Sequence, residues 1–185
     1  MLAYVFWHWP QAGVPASTYE TRLRDFQSAL AANKPPGFLH SALFRVKGAN
    51  WLGNITDAYE EWYLVDASAG LDPLNDAAVA PACRAAHDAA AQLAAGGTAG
   101  LYRLRVGEGE PESARVACWL TKPAGIKYEE FYTALKPQIG QPGAALWGRQ
   151  MTLGPTPEFC LHTRDFVELP AGIASQRTAL ERLWP

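Results

Sequence analysis

Four histidines carry the titratable chemistry of this 185-residue chain: His8, His40, His87 and His162. An imidazole titrates near neutrality and is the usual general base for taking a proton from an activated carbon or a phenol. His8 and His40 fall on the first two predicted strands, His162 in a Cys160-x-His162 pair on a later one, and His87 on an alanine-rich helix. His8 and His87 are the candidate catalytic residues, although an isolated strand histidine serves equally well as hydrogen-bonded scaffolding. Cys83 lies one helical turn before His87, so the two share a face, but two ligands without a third do not make a metal site. Seven tryptophans are many for this length. Trp7, Trp62 and Trp119 are candidates for lining a pocket around a flat organic molecule, and they could as well fill the interior. Arg103 and Arg105 share one strand parity; Arg103 on an inward face would need an acidic partner such as Glu61 or Asp165, or an anionic ligand.

Composition narrows the partners. Hydrophobic residues make up 49% of the chain and charged residues 18%, a globular rather than a disordered balance. Sixteen basic against 18 acidic residues leave no excess to neutralise phosphates, so no nucleic acid is expected. The N-terminal MLAYVFWHWP lacks a cationic leader, and the weakly polar stretch from Asp76 to Ala95 carries Arg84, His87 and Asp88, so no membrane span is expected. Three cysteines without CxxC spacing predict a reduced, cytoplasmic protein. GxGxxG, P-loop, nucleophile-elbow, HExxH and EF-hand patterns are all missing from the sequence, which disfavours nucleotide-dependent enzymes and signature hydrolases.

The elements that must position these residues occur twice. Residues 3–20 and 114–129 both run from an Ala-x-Val strand, through a turn with proline and Ala-Gly, to Tyr-Glu at a helix start. Ser17-x-x-Glu20 reads as a capping box, followed by a Tyr19, Leu23, Phe26, Leu30 stripe; Tyr128, Tyr132, Leu135 and Ile139 form the second copy's stripe. Strands are predicted at 38–47, 58–65 and 101–106, with a hairpin loop over 48–54. Asp72-Pro73 opens an alanine-rich helix, broken at Pro81 and closed by Gly96-Gly97. Gly154-Pro155 and Thr156-Pro157 stiffen a later connection. The expected architecture is α+β: a βαββαβ unit over 1–107, a linker at 108–113, and a βαββα unit over 114–185 that lacks its last strand. Alternation sorts the faces: Ala114, Val116, Cys118 and Leu120 toward helices and, by homologous position, Ala3, Val5, Trp7 and Trp9 likewise. Tyr4, Phe6 and His8 would then point inward.

Two such ferredoxin-like units can bury each other's bare sheet faces as an intramolecular α/β barrel. In this element order the chain resembles the dimeric α/β-barrel superfamily, which includes antibiotic-biosynthesis-monooxygenase-like proteins and chlorite dismutases. The resemblance implies a small-molecule enzyme: a cofactor-independent monooxygenase, or a cyclase/isomerase, acting on an aromatic or polyketide-like compound. His8 or His87 would be its base, Tyr63 a hydroxyl donor, Trp7, Trp62 and Tyr63 its lining, and Arg103 its anion holder. The rival reading is a non-catalytic binding or structural barrel protein. A third is haem binding through His87, since haem-degrading members pair a helix histidine with a strand tryptophan, here His87 and Trp62. Otherwise no cofactor is expected, the partner is a small molecule, and the protein is a monomer or a homodimer.

Overall fold

In the computed structural model, which describes residues 1–47, 49–53, 55, 57–151 and 156–185, the chain forms a closed barrel of eight strands. In chain order these are β1 (Leu2–Pro10), β2 (Phe38–Lys47), β3 (Ala58–Val65), β4 (Ala94–Val106), β5 (Val116–Thr121), β6 (Ala145–Arg149), β7 (Phe159–Thr163) and β8 (Ala174–Trp184). Around the barrel they run β1-β3-β2-β8-β5-β7-β6-β4, and every pairing is antiparallel. Each half therefore contributes four adjacent strands in the order fourth, first, third, second. The halves join where β2 meets β8 and β4 meets β6.

Helix α1 (Ala16–Asn33) follows β1, α2 (Leu71–Val79) and α3 (Pro81–Ala91) follow β3, and the short α4 (Tyr128–Ala134) and α5 (Lys136–Ile139) follow β5. Pro81 does separate two helices, standing at the first position of α3. No helix among the described residues is long and apolar enough to cross a membrane.

Several expectations are corrected. The second half does not lack its last strand: Ala174–Trp184 is β8, with Thr178 and Leu180 buried between exposed Arg177, Ala179 and Glu181. That period-two pattern is a strand's, and pairing with both β2 and β5 closes the barrel. What this half lacks is a helix between β7 and β8. Gly96 and Gly97 do not end a helix but lie inside β4, which starts earlier than expected. They are glycines because a Cβ would meet the Trp9 ring at 2.8 Å and the Phe6 ring at 2.5 Å. The Ser17–Glu20 capping box does not form: Pro15 is the N-cap, and Glu20 instead bonds Arg45, Arg24 and Tyr59. Gly48 and Asn54 of the predicted hairpin loop, and the Gly154-Pro155 pair, lie outside the described residues.

The faces of β1 are the reverse of those expected. Ala3, Val5 and Trp7 point into the barrel, while Tyr4, Phe6 and His8 face the helices. The assignment on β5 holds, with Cys118 and Leu120 against α4 and Trp119 inside. The repeat is thus displaced by one residue: Trp7, not His8, is the counterpart of Trp119. A one-residue slip exchanges every side chain between faces.

Candidate functional site

A cavity of about 560 Å³ lies between the outer face of β1, β3 and β4 and helices α1, α2 and α3. The sheet contributes Tyr4, Phe6 and His8 from β1, Glu61 and Tyr63 from β3, and Leu101 from β4. Tyr19, Leu23, Phe26 and Leu30 come down from α1, the helical stripe read from the sequence. Asp72, Leu74 and Asn75 on α2, with His87 and Ala90 on α3, complete the wall.

Glu61 forms the centre of its polar floor. Only 3% of its surface is exposed, and its carboxylate accepts two hydrogen bonds. The Tyr63 hydroxyl donates to Oε2, and the Gln27 amide donates to Oε1 at 3.0 Å. His8 Nε2 stands 3.7 Å from Oε2. Gln27 is itself fixed, its carbonyl oxygen accepting from Ser41 Oγ at 2.6 Å and its amide also reaching the Tyr63 oxygen at 3.2 Å. Burial raises the Glu61 pKa to about 7, opposed by the hydrogen bonds from Tyr63 and Gln27 and by the charge of His87. A carboxyl so placed is available as acid and as base at neutral pH.

His8 is a different group from the one the sequence implied. Burial lowers its pKa to about 3, so it stays neutral and is a poor proton acceptor. Its Nδ1 is 2.7 Å from the Tyr19 hydroxyl; with burial holding that phenol above its ordinary range, Tyr19 donates and Nδ1 accepts. Nε2 then carries the hydrogen. That nitrogen is buried, within reach of the cavity, and has no hydrogen-bond partner; at 3.7 Å the approach to Glu61 is neither a hydrogen bond nor, with His8 neutral, an ion pair. His87 also lines the cavity, partly exposed, with Nδ1 3.0 Å from Asp88 Oδ1 and its ring edge-on to Phe26. The structure thus brings His8, Tyr63 and His87 to one cavity.

The other nominated residues go elsewhere. Trp7, Trp62 and Trp119 fill the barrel interior together with Trp147 and Tyr102, on the far side of the sheet from the cavity. There Glu60 accepts from Trp7 Nε1 at 2.7 Å and Trp62 Nε1 at 2.6 Å, and Trp119 Nε1 donates to Thr178 Oγ1 at 3.2 Å. Glu60 is fully buried, and its pKa too is raised to about 7 by burial. Arg103 does not face inward or line the cavity; its Nε donates to Gln150 Oε1 at 2.6 Å on the outer surface of the sheet. Arg105 is exposed. Both corrections follow from strand parity, since Tyr102 and Leu104 take the interior positions that alternate with them.

The haem arrangement does not fit either. Trp62 and His87 are on opposite sides of the sheet, and the lining of the cavity has no arginine or lysine among the described residues to meet propionates. Cys83 packs near Asn33 rather than with His87 toward a shared ligand, and the described residues hold no cluster of three potential metal ligands. Glu61, Gln27 and Tyr19 were missed as site residues. The available signal was Glu60-Glu61 itself, two carboxylates inside a strand of otherwise apolar and aromatic residues.

No protein-family profile matches the chain, and no curated protein matches it by sequence. Solved structures do match. A "Putative monooxygenase" from Fusobacterium nucleatum superposes with a TM-score of 0.65 at 11% identity, covering 99% of this chain and 92% of that one. A second "putative monooxygenase", from Lactobacillus acidophilus, gives 0.59 at 11% identity, over 99% of this chain and 94% of that one. At such identity the likeness is one of fold, a closed eight-stranded barrel flanked by helices, built here from a single polypeptide.

Proposed function

We propose that the cavity beneath α1–α3 is the active site of a small-molecule enzyme, and that Glu61 takes the proton whose removal starts the reaction. The observation that carries this reading is a single one: a buried carboxyl with a pKa of about 7, held by Tyr63 and Gln27 on the floor of an otherwise apolar cavity. The substrate class is an aromatic or polyketide-like compound with an acidic C–H beside a carbonyl, or a phenol. Glu61 as carboxylate accepts that proton, and the neutral His8 Nε2–H donates to the oxygen on which the charge develops. Tyr63 and Gln27 orient the carboxylate, and His87 stands at the exposed side of the cavity.

The enolate so formed has two fates. In the monooxygenase reading it adds O₂ at carbon, Glu61 returns the proton to the peroxide, and loss of water leaves a carbonyl: R₂CH₂ + O₂ gives R₂C=O + H₂O. In the cyclase or isomerase reading it attacks a carbonyl of the same molecule or is reprotonated elsewhere. The name carried by both solved relatives favours the first.

Proton abstraction is the step common to both, and it is measurable without the natural substrate. Benzoylacetone in D₂O should exchange its activated C–H faster in the presence of the protein, and Glu61→Gln should remove about a hundredfold or more of that acceleration. An oxygen electrode then separates the two fates. A Glu61→Gln protein that is folded and exchanges as fast as the unsubstituted one overturns the assignment, and no acceleration by either protein returns the chain to the binding or structural reading.

A further inference from the structure

The charge and the rings of the cavity, taken together, name a narrower class of substrate. Resting on the reading of this cavity as the active site, we infer that its substrate carries a protonated amine on an aromatic skeleton, seated with the ammonium against Glu61.

Two observations carry this. Among the described residues lining the cavity there is no arginine or lysine, while two carboxyl side chains, Glu61 on the floor and Asp72 on α2, face it. An anion entering would lose its hydration and meet like charge, whereas a cation gains a partner. The rings then form a continuous row across the sheet: Tyr63 to Tyr4 at 6.2 Å, Tyr4 to Phe6 at 6.5 Å, with Phe26 of α1 opposite, 6.4 Å from Tyr63. Aromatic faces around a buried carboxylate form the arrangement by which organic ammonium ions are recognised.

The arrangement also couples binding to chemistry. A cation beside Glu61 favours its carboxylate form, so the substrate ionises the base that acts on it, and the displaced proton leaves to solvent. The other groups facing Glu61 do not supply that charge. His8 on β1 is held neutral by burial; Tyr4, Tyr63 and, on α1, Tyr19 are phenols pushed above their ordinary range; Asp72 on α2 is an acid. His87 on α3 is the one group among them able to compete, and a His87→Gln background removes it.

The test uses matched probes on two skeletons: tryptamine and 2-phenylethylamine, the uncharged tryptophol and 2-phenylethanol, and the acids indole-3-propionate and 3-phenylpropionate. Titration calorimetry in phosphate and in Tris at about pH 6.5 reads affinity and proton release together. The amines should bind about tenfold tighter than the alcohols, with the acids weakest, and only amine binding should release protons. Glu61→Gln should abolish both the preference and the release while leaving the alcohols' affinity in place, and His87→Gln should keep them. Alcohols or acids that bind as well as the amines, no binding by either amine, or proton release that survives Glu61→Gln would each overturn the inference. Because benzoylacetone is uncharged, its exchange by Glu61 can persist when the amines fail, and then only the substrate class is lost.

Discussion

Replacing Glu61 with glutamine should expose a pH dependence of stability that the unsubstituted protein conceals. Glu61 has a folded-state pKa of about 7 against an ordinary value of 4.5, because burial disfavours its charge. Below the ordinary value both states are protonated and the residue contributes nothing to the pH dependence. Between the two values the unfolded chain releases the proton and the folded one keeps it, so stability falls as pH rises; above about 7 the loss is complete, at about 3 kcal/mol. Glu60 follows the same course. His8 and His162 oppose it: both are lowered from 6.5 to about 3 by burial, so each adds stability as pH rises through that interval. Two falling and two rising contributions overlap between the ordinary values of Glu and His, and the unsubstituted protein should be nearly insensitive to pH there. Glu61→Gln removes one falling contribution. Relative to the unsubstituted protein it should gain about 3 kcal/mol on passing from acid to mildly alkaline solution. The offset is about 1 kcal/mol, because one glutamine oxygen replaces the two that accept from Tyr63 and Gln27. Urea denaturation of both proteins across that range measures the difference directly. A difference that stays constant with pH would refute the reasoning, since it would mean that Glu61 titrates alike in the folded and unfolded chains.

Two further outcomes test the framework around the site. Gly97→Ala places a methyl group 2.5 Å from the Phe6 ring and 2.9 Å from the Trp7 carbonyl, so it should cost about 2 kcal/mol or more, visible as a lower Tm, while alanine at the open Gly13 escapes that clash. Deleting residues 174–185 exposes the Leu43–Lys47 edge of β2 and the whole facing edge of β5, and the product should self-associate or aggregate on size-exclusion chromatography; a soluble monomer of native ellipticity would contradict the closing role of β8.

Much of the fold was legible because its signals are periodic. The Tyr19, Leu23, Phe26, Leu30 stripe, the strands at 38–47 and 58–65 and the break at Pro81 each carry a local pattern that tertiary packing did not override. The final strand was not legible, because Leu180, Leu183 and Trp184 also fit helical spacing over so short a stretch, and only pairing with β2 and β5 decides the matter. Glycines such as Gly96 and Gly97 mark helix ends and close approaches alike; the neighbouring Trp9 and Phe6 rings distinguish them, and those come from another strand. The site was half legible. His8, Tyr63 and His87 do meet, yet the one-residue slip on β1 assigned His8 to the wrong side of the sheet and Trp7 to the cavity. Glu61 was visible only as a counter-charge for Arg103, which shares the outer face of the sheet with it but pairs with Gln150 instead. Its importance depends on burial, and burial is a property of the assembled barrel.

A barrel closed within one polypeptide has freed its halves from having to match. In a symmetric pair of identical chains every substitution is made twice, so each copy must serve as both catalyst and support. Here the space under α4 and α5, where Phe131, Leu135, Phe159 and Leu161 meet, is packed solid with apolar side chains, and the helix that would follow β7 is replaced by a plain connection to β8. The apolar packing is left to the C-terminal strands, and the N-terminal ones carry a polar floor whose buried carboxyl and imidazole offset each other's cost.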